Sequence, residues 1–171
     1  MSIKTVSINK IGEENLFWLP FNYFDVVGID NKALAEEVLS NQTRLTDNKN
    51  IPLYEDTVFN MENGPQSTAL LTAIKSLAES SELEIKGVWS QIHYPRESTG
   101  MHHHLPHQVA FVYYVSVPEG AGDLVFDLEN KVQRNIPPVE GRLLMFHAWI
   151  MHRVSKNTGN KIRISISGNL S

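Results

Sequence analysis

Apolar residues along this chain change their spacing near Ile85. Before that point they recur at helical intervals. Leu34, Ala35, Val38 and Leu39 form one such set, and Leu70, Leu71, Ile74 and Leu77 form a second apolar face. Each set has a start signal: Asp30-Asn31 can cap the first helix and Ser67-Thr68 the second. The polar stretch Asn41–Tyr54 reads as a loop. From Ile85 onward the chain breaks into β-rich runs: Gly87–Tyr94, Gln108–Val117, Asp123–Leu128, Val132–Ile136, Arg142–Phe146 and Lys161–Gly168. Pro118-Glu119-Gly120, Pro137-Pro138, Glu140-Gly141 and Asn157-Thr158-Gly159-Asn160 supply turns between several of them.

Helices followed by many short strands predict an α+β chain that is mainly β. A double-stranded β-helix (jelly roll) over about residues 85–171, backed by a helical part over about 1–84, fits best. The last strand is the most regular. Ile162, Ile164 and Ile166 point one way, and Arg163, Ser165 and Ser167 the other.

A chain of 171 residues suits one domain, and an apolar fraction of 42% is enough for a core. A net charge of −4 gives no reason to expect nucleic acid. There is no cysteine, which excludes disulfides, thiolate zinc sites, iron–sulfur clusters and cysteine nucleophiles. The start MSIKTVSINK lacks the apolar segment of a signal peptide, and no run reaches the length of a membrane span. The expectation is a soluble, cytoplasmic protein with no membrane contact.

All seven histidines lie between His93 and His152. His102 and His104 are two apart, so on an extended chain they share a face while His103 turns away. Two imidazoles on one face can chelate one metal. A third ligand from another strand would complete a facial triad and leave positions open, and His152 is the candidate. The middle ligand is left open between His104, His107 and an aspartate, Asp123 or Asp127. Imidazole favours iron, zinc, copper and nickel over magnesium or calcium. For the triple histidine the plainer alternative is a solvated loop, and for His152 a hydrogen-bonded core histidine.

Arg163 lies opposite the isoleucine face. An inward arginine needs an anion, and its planar fork matches a carboxylate. Ser165 projects the same way and can add a hydrogen bond. The alternative is an internal salt bridge to one of the chain's acidic residues.

These residues resemble a family of 2-oxoglutarate/Fe(II) oxygenases found widely in marine bacteria and cyanophages and related to the prolyl hydroxylases. The resemblance rests on Trp89, Gly100, His102-His103-His104, Val112-Tyr113-Tyr114 and Gly141-Arg142-Leu143. It continues through Phe146, Trp149, His152 and Val154 to Arg163-Ile164-Ser165-Ile166-Ser167-Gly168-Asn169. It covers the chain from about residue 85 to the end and is weak before that. It implies Fe(II) held by His102, His104 and His152. It also implies 2-oxoglutarate held by Arg163 and Ser165, with Gln91 at a strand position that touches this co-substrate. The implied reaction converts 2-oxoglutarate and molecular oxygen to succinate and CO2 while a C–H bond of a small-molecule or peptidyl substrate is hydroxylated. His93, Tyr114, Trp149 and His107 are candidates to line the substrate pocket, with plain core packing as the alternative for Tyr114 and Trp149. Departures at His147, Leu105-Pro106-His107 and Ala110-Phe111 alter the pocket walls, so substrate choice is not carried over.

Two other classes compete. A cupin-type three-histidine enzyme that does not use 2-oxoglutarate explains the histidines and leaves Arg163 unexplained. A non-catalytic jelly-roll binding protein predicts no oxygen chemistry. An exposed jelly-roll face is compatible with a homodimer, though no residue pattern demands one.

Overall fold

A computed structural model describes residues 5–16, 19–41, 55–127 and 133–171. The end of the polar loop after Asn41, and Leu128 and Val132 of two expected strands, lie outside the described residues. Strands β1 (Ser7–Leu16) and β2 (Leu19–Val27) come first, then α1 (Asn31–Ser40), β3 (Glu55–Val58), a 3-10 turn (Met61–Asn63) and α2 (Pro65–Glu79). β4 (Ile85–His93), β5 (Thr99–His102), β6 (Val109–Ser116), β7 (Leu124–Asp127), β8 (Gln133–Ile136), β9 (Arg142–His147), β10 (His152–Val154) and β11 (Arg163–Leu170) follow.

Two antiparallel sheets result. The larger runs β1-β2-β9-β6-β11-β4-β3 and the smaller β5-β10-β7-β8, the layout of a jelly roll. The helices pack on the outer face of the larger sheet, where Leu34, Val38, Leu70, Ile74, Ile164 and Ile166 share one core. A second core fills the space between the sheets with Phe21, Val112, Leu144, Phe126 and Phe146. The inner strands of the larger sheet are thus buried on both faces. That is why β6 reads as the near-continuous apolar run VAFVYYVS rather than as alternation.

The expected N-terminal helices are present, but the part before Ile85 is not helical throughout. Among the described residues there, α1, α2 and the short 3-10 turn are helical, and β1, β2 and β3 add three strands to the larger sheet. Asp30 does cap α1, its side chain accepting from the backbone of Lys32 and Ala33. Ser67-Thr68 does not start α2, which begins at Pro65, a position that needs no amide hydrogen. Glu37 of α1 caps it instead. Its carboxylate accepts from Gln66 N at 2.9 Å, Ser67 N at 2.8 Å and Ser67 Oγ at 2.6 Å. Glu37→Ala is therefore expected to lower stability by about 1–2 kcal/mol, and Tm by about 2–4 °C for each kcal/mol, read by thermal unfolding. An unchanged Tm would show that the cap is idle.

The short strands β5 and β10 set the site. They pair antiparallel, with His152 opposite His102. Across the gap, β11 pairs with β4 so that Arg163 faces His93, Ser165 faces Gln91 and Ser167 faces Trp89. Asn157, wholly buried, fixes the loop before β11. Its Nδ2 donates to His93 O and Lys161 O, and its Oδ1 accepts from Gly159 N. Among the described residues, no helix is long and apolar enough to cross a membrane.

Candidate functional site

His102, His104 and His152 offer ligand atoms that all lie within 4.8 Å of one another. His102 comes from the end of β5, His104 from the turn after it, and His152 from the start of β10. Backbone carbonyls set two of the three rings. His102 Nδ1 donates to Gly100 O at 2.8 Å and His152 Nδ1 to Ile150 O at 2.8 Å, which leaves each Nε2 a free lone pair. His104 Nε2 lies 3.2 Å from His152 Nε2. Such a spacing suits neighbouring ligands on one ion with bonds of about 2.1 Å. Burial pushes the pKa of His104 down to about 4 and that of His152 down to about 3, so both are held in the neutral form a metal requires. This all-nitrogen set fits iron, nickel, zinc or copper and carries no charge of its own.

The imidazoles open onto a cavity of about 430 Å³ between the sheets, whose walls include Trp89, Gln91, Val112, Phe146, Arg163 and Ser167. A larger hollow of about 600 Å³ lies between α2 and β4, but no histidine lines it.

Arg163 is 1% exposed. Among the described residues no carboxylate pairs with it. Its partners are neutral: NH1 donates to His93 Nδ1 at 3.0 Å and to Ser165 Oγ at 3.3 Å. Its Nε has no partner. The guanidinium stands 5.3 Å from the centre of the Tyr114 ring and interacts with that side chain, whose buried hydroxyl makes no hydrogen bond of good geometry. Burial raises the Tyr114 pKa to about 12 against the opposing pull of the Arg163 charge, so the phenol keeps its proton. An unpaired buried cation beside an unpaired donor is costly unless an anion joins them. The alternative, an internal salt bridge, is absent among the described residues, and a carboxylate is the group these donors fit.

Several candidates fall elsewhere. His93 does not line the cavity but sits wholly buried against Arg163. Tyr114 is likewise outside the lining, beneath the guanidinium. Trp149 is 51% exposed, neither core nor cavity wall. His107 turns to Ser171 Oγ at 3.0 Å and is outside the imidazole cluster, as are Asp123 and Asp127. Trp89, whose ring centroid is 5.6 Å from that of His104, and Ser167 line the cavity but were not singled out as site residues from the sequence. Each lies two residues from a chosen one, Gln91 and Ser165, on the same strand face.

Burial pushes the His93 pKa from 6.5 down to about 3, with the Arg163 charge as a second cause. Between those values the unfolded chain binds a proton that the folded chain does not. Stability should therefore fall as pH drops below about 6.5, by up to about 1.4 kcal/mol per unit from this residue alone. His93→Phe should make the acid limb of a stability-against-pH curve shallower. An identical limb would mean that His93 is not buried neutral.

Comparison with known proteins agrees with this geometry. The family described as "Putative 2OG-Fe(II) oxygenase" matches residues 126–169, the segment that holds His152 and Arg163. No curated protein matches the chain. Among solved structures, a prolyl-4-hydroxylase of Pseudomonas putida is 18% identical over 82% of this chain and 84% of its own, with a TM-score of 0.63. The 2-oxoglutarate complex of a viral collagen prolyl hydroxylase from Paramecium Bursaria Chlorella virus-1 is 13% identical over 88% and 94%, with a TM-score of 0.67. The alpha-ketoglutarate-dependent epimerase SnoN of nogalamycin biosynthesis is 16% identical over 88% and 77%, at 0.68. The sequence match is confined to this C-terminal segment, and the solved structures share the fold of the chain.

Proposed function

We propose that the protein is an iron- and 2-oxoglutarate-dependent oxygenase that hydroxylates an unactivated C–H bond of a small-molecule or peptidyl substrate. The observation that carries this reading is Arg163: a buried cation without an acidic partner among the described residues, in the wall of the cavity that the three imidazoles share. In the overall reaction 2-oxoglutarate, O2 and R–H give succinate, CO2 and R–OH.

His102, His104 and His152 would hold the metal. When bound, iron supplies the redox chemistry that couples loss of CO2 from the 2-oxo acid to oxidation of the substrate. Arg163 would receive the distal carboxylate, with its Nε and the Tyr114 hydroxyl as the donors now lacking acceptors. Gln91, opposite Ser165 on the neighbouring strand, offers an amide to the co-substrate. Val112, Leu124, Phe146 and Val154 give apolar walls that exclude water. Hydroxylation is preferred as the common outcome of this chemistry, although the same fold serves the epimerase named above.

An anaerobic titration with Fe(II), with and without 2-oxoglutarate, tests the reading. A saturable visible charge-transfer band that needs both components is expected. Stoichiometric iron binding without a band, together with O2 uptake that yields no succinate when the iron-loaded protein is then exposed to air, would favour a three-histidine oxygenase of the cupin type.

A further inference from the structure

His93 is buried behind the cavity wall and still meets the groups that define it. Arg163 can only donate, so His93 Nδ1 must be the acceptor of the 3.0 Å bond. The ring proton is then on Nε2, 2.8 Å from Thr99 Oγ1, to which it is donated. One neutral tautomer satisfies both contacts. Thr99 opens β5 and His102 closes it, and β10 is the only described strand that β5 pairs with. The Thr99–His93 bond therefore ties the strand carrying a metal-binding imidazole to the strand facing Arg163.

We infer that His93 is a positioning residue for the co-substrate. It holds the Arg163 guanidinium in the orientation that receives the distal carboxylate of a five-carbon 2-oxo dicarboxylate. The inference rests on the function proposed above. The position calls for a neutral acceptor. An acid there would pair with Arg163 and compete with the co-substrate, and a cation would repel it. An apolar side chain would leave NH1 with only the 3.3 Å contact to Ser165. Burial keeps the imidazole uncharged.

The test compares two ligands on the Ni(II)-loaded protein by calorimetry. 2-Oxoglutarate chelates the metal and reaches Arg163; oxalate chelates but is too short to reach it. His93→Phe is expected to weaken 2-oxoglutarate at least tenfold and to leave oxalate within twofold. His93→Gln, whose amide oxygen can accept from Arg163, should recover most of the loss. Thr99→Val, which removes only the far partner of the ring, should weaken 2-oxoglutarate about threefold without affecting oxalate. It carries the test if His93→Phe does not fold. Unchanged 2-oxoglutarate affinity in the Phe variant, or parallel loss of both ligands, would overturn the positioning role. If the unmodified protein binds oxalate but not 2-oxoglutarate, the proposed function itself fails.

Discussion

Replacing His152 with alanine is expected to cut metal affinity by at least about 100-fold, since loss of even a partner behind a ligand costs 10- to 100-fold. His152 is 3% exposed, and its ring packs against Phe126 and Phe146, at centroid distances of 5.9 and 4.9 Å. Two imidazoles would remain, one at the end of an edge strand and one in a turn, with nothing on β10 to close the triangle. Equilibrium dialysis against limiting Fe(II) or Mn(II) measures the loss directly. Because alanine also leaves a hole beside two aromatic rings, unfolding should be followed in parallel, and His107→Ala serves as the control. His107 is a histidine of the same segment that turns away from the cluster, and its loss should leave metal content unchanged. Normal metal binding in the His152 variant would remove it from the site.

Arg163→Met should separate the two halves of the site. Metal affinity should stay within about threefold, while 2-oxoglutarate affinity falls at least about 30-fold, the low end of the ~2–5 kcal/mol that follows truncation of a buried charge partner. The same substitution should raise the Tm of the protein without ligands. There the guanidinium is a buried charge held only by neutral groups, and a well-packed apolar side chain is the better occupant. Lower binding with higher stability would mark a residue kept for function at a cost in folding. If metal affinity collapses and 2-oxoglutarate affinity does not, the assignment of the two subsites is wrong.

Much of this arrangement was legible in the sequence for simple reasons. β11 alternates strictly because one face meets the helices and the other the cavity, so Arg163 and Ser165 declared their direction. β6 and β9 announced themselves as apolar runs. The first two strands did not. β2 buries Phe21 between the sheets and Phe24 and Val26 under the helices, so no polar face marks its period. β1 breaks its own alternation with a register shift between Lys10 and Gly12. β5 and β10 are four and three residues long, too short to show any period, although they carry the paired histidines. His93 stood out from the sequence only as a candidate wall of the substrate pocket. Its partner Arg163 lies seventy positions on, and only strand pairing brings them together.

The register shift in β1 bears on how molecules meet. Among the described residues this strand is an end of the larger sheet, and an open edge offers its backbone groups to any other chain. Here the added residue, Ile11, bends that edge, and the Lys10–Glu13 ion pair spans it. Joining two copies into one continuous sheet through β1 would mean flattening the kink and stripping water from both charges. Among the described residues, this edge is therefore poorly shaped for fibre-like growth.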